Sequence, residues 1–139
     1  MSNKKAPKFN IPKEGAVERK VPTKEEFDRA NKETASLFDG LGDVSRSFMA
    51  KFSVVEQLDR FEILPQVDPD FRAYIFFKTD ADVRNVEATV LLSEMRDFIF
   101  TELERVGRGN REDISVDFEI DSLENVKRNF GGNYFLRMR

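Results

Sequence analysis

Three residue types that do much of the chemistry in enzymes are missing: the chain has no cysteine, no histidine and no tryptophan. Without cysteine there is no disulfide, no thiolate nucleophile and no zinc–thiolate site. Without histidine there is no imidazole base and no Ser-His-Asp triad, and the commonest transition-metal ligand is gone. Turnover would have to use carboxylates, lysine, tyrosine, hydroxyls, or a hard cation bound through oxygen. No run approaches the roughly 20 apolar residues of a membrane span. The Met1–Pro7 start is basic but leads into no apolar core, unlike a secretory signal. These features predict a cytoplasmic protein with no membrane contact, and a reducing compartment suits a cysteine-free chain.

What is present suits one soluble domain. The 139 residues are long enough to bury a core, and 40% hydrophobic with 35% charged residues is a globular balance. Fourteen phenylalanines predict a core built on large rings. Charge is uneven. Residues 1–22 carry six basic and two acidic side chains, a net +4, which leaves 17 basic and 24 acidic residues, a net −7, on the rest. Pro7, Pro12, Gly15 and Pro22 interrupt this start, and Phe9, Ile11 and Val17 follow no sustained period. The plain reading is a disordered, solubilising tail. A binding segment around Phe9 and Ile11 that orders on a partner is the sharper one.

From residue 23 the pattern becomes regular. Thr23 with Glu26 forms a capping-box start. Phe27, Ala30, Thr34, Leu37 and Leu41 follow at helical spacing, and Asp39-Gly40-Leu41-Gly42 ends that helix. A second helix is expected from Asp43, with Val44, Phe48, Phe52, Val55 and Leu58 on one face. The alternative is that Phe52–Val55 begins a strand. Phe61–Leu64 and Phe71–Lys78 flank the turn signal Val67-Asp68-Pro69-Asp70 and read as a hairpin. Apolar residues on both faces of the second strand predict an interior position. Thr79, Asp80 or Asp82 caps the next helix. A break is expected near Glu87, and Ala88, Leu92, Met95, Ile99, Leu103 and Val106 form the longest apolar stripe. Ile114, Val116, Phe118 and Ile120 alternate as a strand. A short helix is expected after Asp121/Ser122, and Tyr134, Leu136 and Met138 suggest a last strand.

These elements imply an α+β, two-layer domain: an approximately four-stranded, mainly antiparallel sheet packed by one long helix. An N-terminal helical pair (23–60) would precede a ββαβαβ core (61–139), all one domain over 23–139.

Four constellations bear on chemistry. Asp117, Glu119 and Asp121 share one strand face, with Asp113 beyond. They are either a divalent-cation site or a solvated face paired with Arg137 and Arg139. Asp68-Pro69-Asp70 lacks the acidic-x-Lys triplet of metal-dependent nucleases on the following strand, and Asp80-Ala81-Asp82 lacks the glycine and distal glutamate of a calcium loop. Turn and cap roles account for both. Arg105, Arg108 and Arg111 with two glycines make a basic loop able to grip phosphate, though Glu102, Glu104, Glu112 and Asp113 nearly cancel it. Tyr74 and Phe76 resemble the stacking rings of an RNA-binding sheet only in kind, without the glycine that precedes the ring there. Phe100 falls off the main helical stripe.

The expectation is therefore a non-enzymatic protein-interaction domain, adaptor- or immunity-like, with no cofactor or metal. Its candidate contacts are Phe9, Ile11, Tyr74, Phe76, Phe100, Arg105, Arg108 and Arg111. The alternative is nucleic-acid binding through the basic tail and the Arg105–Arg111 loop.

Overall fold

A computed structural model describes residues 23–139, so the expected tail and its Phe9 and Ile11 lie outside the described residues. The chain divides into a unit that ends at Ser36 and a second unit, Leu37–Arg139. Helix α1, Lys24–Leu37, begins with the expected capping box: Thr23 Oγ1 accepts from the Glu26 amide at 3.1 Å and Glu26 Oε1 from the Thr23 amide at 2.9 Å. Its Phe27 is 59% exposed and its Leu37 52% exposed.

Helix α2, Leu41–Lys51, starts two residues before the expected cap. Gly40 leads into it at φ 80°, and a Cβ there would lie 2.8 Å from Val106, so glycine is needed for both conformation and space. Asp43 sits inside the first turn, paired with Arg46. Val44 and Phe48 are buried, as the spacing predicts, and Leu41, which that spacing assigned to the preceding helix, is buried at the start of this one. The helix does not reach Leu58. Phe52 ends it and packs its ring on Phe48 and Phe98, Val54 is exposed, and Leu58 already opens a strand. The β-branched pair Val54-Val55 marks the change that the helical period concealed.

Strands β1, Leu58–Pro65, and β2, Phe71–Phe77, form the expected antiparallel hairpin, with a cis Asp68–Pro69 bond in the turn. Thr79 caps α3, Asp80–Val86, with Asp82 closing a second capping box. The chain then breaks at Glu87–Val90 and resumes as α4, Leu91–Arg105. Strand β3, Val116–Ser122, pairs with β2 from Phe71↔Val116 to Phe77↔Ser122. The pairing is parallel, because the α3–α4 crossover carries the chain back to the end at which β2 began. The sheet is thus three-stranded and mixed, in the order β1-β2-β3, rather than four-stranded and mainly antiparallel.

The fourth strand is absent because Tyr134–Met138 folds otherwise. After α5, Leu123–Phe130, the segment Tyr134–Arg137 is a short helix, α6, whose Leu136 amide is capped by Asn133 Oδ1. Tyr134 and Met138, four apart, both pack inward, while Phe135 and Leu136 are exposed. Three apolar residues at alternate positions fit either period, and the cap decides for the helix.

β2 lies in the middle, as expected, and both of its faces are covered. On one face Ala73, Ile75 and Phe77 pack with Phe61 and Ile63 of β1 and the apolar stripes of α2 and α4. Phe48 stacks on Phe61 with ring centroids 4.2 Å apart. On the other face Tyr74 and Phe76 pack under Val126 of α5, with Phe130, Tyr134 and Met138 against them. Helices therefore cover both faces, and three helices, α2, α3 and α4, rather than one contribute to the larger core.

Candidate functional site

The sheet face under α5 and α6 holds most of the residues singled out by sequence. In register, Arg72 lies beside Asp117, Tyr74 beside Glu119 and Phe76 beside Asp121. The acids of β3 are answered by two guanidinium groups. Arg72 Nη2 lies 3.1 Å from Asp117 Oδ2, and its Nε 3.8 Å from Glu119 Oε2. Arg137 Nη2 lies 3.1 Å from Glu119 Oε1, and its Nε donates to Asp121. Burial works against the Arg137 charge, but donation to Asp121 and Glu119 outweighs it and raises the guanidinium above its ordinary range. Arg137 thus takes its expected place by way of a helix, while Arg139 makes no ion pair among the described residues. Arg72 was not foreseen. Its place on the Tyr74 face was legible from alternation, but its acidic neighbours required the parallel pairing. Among the described residues no group of three or more Asp or Glu is arranged as a metal-ligand cluster.

The two rings of this face are enclosed. Tyr74 is 3% exposed and Phe76 1%. Tyr74 donates to the Met138 carbonyl at 3.3 Å, and Arg137 lies 5.7 Å from its ring centre. Tyr134 meets Phe76 edge-on at 4.9 Å, carries Arg60 over its own ring at 4.4 Å, and donates its hydroxyl to Asp59. Burial first, then that hydrogen bond, pushes the Tyr134 phenol up from its ordinary range. Neither Tyr74 nor Phe76 offers a face for stacking a base or docking a partner while α5 and α6 stay in place.

The arginine loop is engaged internally. Arg105 Nε donates to Glu102 at 2.9 Å. Arg108 Nη1 donates to the Leu37 and Asp39 carbonyls, both at 2.9 Å, and its guanidinium lies 4.9 Å from the Phe71 ring centre. Arg111 reaches Asp97 at 2.7 Å and covers the Phe100 ring at 4.5 Å. Phe100 in turn meets Phe118 at 6.0 Å. Phe100 is therefore a half-buried satellite of the core.

The aspartate pairs serve turns and caps. Asp70 and Ser115 exchange two hydrogen bonds that tie the β1–β2 turn to the entry of β3. Asp80 accepts from Ser122 Oγ at 2.5 Å and from Arg128 at 3.0 Å. The Ser122 bond first, and Arg128 after it, holds the Asp80 carboxyl below its usual range against some desolvation.

What remains open is apolar. Phe27, Leu37 and Phe38 are exposed around α1, and Val54, Val67, Val90, Phe135 and Leu136 elsewhere. A depression of 190 Å³ lies beside α3, with Val55, Phe77, Val86 and Leu91 in its wall and Asp82 and Asn85 among its polar lining. Sequence reasoning missed it, because its wall draws on three separate segments. No helix among the described residues is long and apolar enough to cross a membrane. No protein-family model, curated protein or solved structure matches the chain.

Proposed function

We propose that this chain is a non-enzymatic, cytoplasmic protein-interaction domain, of the adaptor or immunity-like kind, whose principal contact is α1. The observation that carries this reading is the apolar stripe of α1. Phe27, Ala30 and Leu37 recur at helical spacing, yet Phe27 is 59% and Leu37 52% exposed. An amphipathic helix with an uncovered apolar face is a standard element of helix-in-groove recognition. The acids of β3, Glu102 and Asp80 are held in ion pairs with arginines.

The test is a photo-crosslinking side chain at position 27, followed by titration of the captured partner in pure form. One saturable partner is expected, with Phe27→Asp plus Leu37→Asp weakening it at least about tenfold at unchanged far-UV dichroism. Capture spread over many proteins, none of them saturable, overturns the reading. The alternative, nucleic-acid binding, loses support from the loop, since Arg105, Arg108 and Arg111 already have partners within the second unit. It rests on the +4 charge of residues 1–22, and it requires an affinity that falls steeply with salt and is lost on their deletion.

A further inference from the structure

The depression beside α3 is too small for most metabolites and large enough for one side chain. Its 190 Å³ falls below the roughly 300–1,000 Å³ of small-molecule sites and above the roughly 150 Å³ of an apolar cavity that takes up benzene. Four apolar residues, Val55, Phe77, Val86 and Leu91, make up its wall. Val54 and Val90, adjoining Val55 and Leu91 in the chain, are 86% and 72% exposed.

Its surroundings are acidic. Glu56 sits between the lining residues Val55 and Gln57, and Glu87 follows Val86; both are exposed. Neither makes an ion pair among the described residues, and the Asp82 carboxylate is bonded only to the Thr79 amide. Against these three acids stand two cations, Arg84 on α3 and the exposed Lys78, which follows the lining residue Phe77. The unit that contains the depression carries 14 basic and 20 acidic side chains, a net −6.

We infer that this depression receives one phenylalanine- or leucine-sized side chain, flanked by lysines or arginines, from a partner protein. The inference rests on the interaction reading above and adds to it a second contact of defined chemistry. The apolar wall anchors the side chain, and Asp82, Glu56 and Glu87 select its cationic flanks.

The test is an amide-shift titration of the full, ¹⁵N-labelled chain with the peptide Lys-Lys-Phe-Lys-Lys and with its alanine-centred counterpart. Saturable shifts confined to residues 55–57 and 82–91 are expected, with the alanine peptide at least about tenfold weaker. Glu56→Lys and Glu87→Lys are each expected to weaken binding about threefold and to flatten its salt dependence. Asn85→Trp, a bulky ring at an exposed lining position, is expected to abolish the shifts without altering the fold. Equal binding of both peptides, or shifts scattered over other acids, overturns the inference. So does benzyl alcohol binding as tightly as the peptide, which would assign the depression to small apolar molecules. A partner captured at position 27 that binds Asn85→Trp unchanged discards the depression and leaves the interaction reading intact. Saturable peptide binding in a chain that captures nothing at position 27 discards the α1 reading and keeps the depression.

Discussion

Glu102 is the buried acid of α4, 7% exposed, and Arg105 one turn on is its partner. Donation from Arg105, supported by Ser47 and opposed by burial, holds its carboxyl below the ordinary range. A carboxyl lowered in the folded state contributes stability that is complete above its unfolded value, about 4.3, and lost as pH falls through the folded value. Glu102→Gln is therefore expected to cost about 1 kcal/mol near neutral pH, the half-exposed Arg105 limiting the effect. The deficit should shrink as the pH is lowered from neutral into the acid range, where the folded carboxyl takes up its proton and the parent loses the same ion pair. Urea midpoints at neutral and acid pH check this, and an equal deficit at both would mean that packing, not charge, accounts for the loss. Glu102 shows how far residue identity carries. The helix could be assigned from periodicity, yet a glutamate next to the buried Leu103 looked like one more exposed charge until Ser47 of α2 was brought beside it.

At the scale of elements, the starts of α3 and α5 are clasped together. Ser122 is wholly buried; its Oγ accepts from the Asn125 amide at 2.9 Å as the cap of α5 and donates to Asp80 at the first turn of α3. Glu124 completes the clasp, accepting from the Asp80 amide at 2.9 Å and donating its own amide to the Lys78 carbonyl. Ser122→Ala removes a cap and leaves Asp80 without its closest donor, so it is expected to cost about 1–2 kcal/mol. The loss should appear as faster amide exchange in both α3 and α5 rather than in α5 alone. A loss confined to α5 would reduce Ser122 to a simple cap. The caps themselves were legible, since Thr79, Asp82 and Ser122 are the residue types that stop a strand and open a helix. The coupling was not, because 42 residues separate Ser122 from Asp80 and only the parallel pairing of β2 with β3 sets their ends side by side.

For the whole second unit, the C-terminal segment acts as the lid of the smaller core. Deleting residues 131–139 removes Tyr134, Arg137 and Met138 from above Tyr74 and Phe76 and leaves the acids of β3 without Arg137. The expected result is a loss of about 3 kcal/mol or more, with dye binding and concentration-dependent association. An unchanged unfolding midpoint with no dye binding would contradict this packing. That dependence also explains which conclusions needed coordinates. The α+β class, the caps of α1, α3 and α5, the hairpin, the break before α4 and the interior place of β2 were all set by the sequence alone, because each depends on residues a few positions apart whose spacing and backbone preferences act locally. Tertiary structure alone decided that β3 runs parallel, that the last apolar triplet coils over Tyr74 and Phe76 instead of adding a strand, and that the loop arginines turn inward. Each of these is a competition between distant segments for the same apolar surface or the same charge, and such a competition is resolved only when the chain is folded.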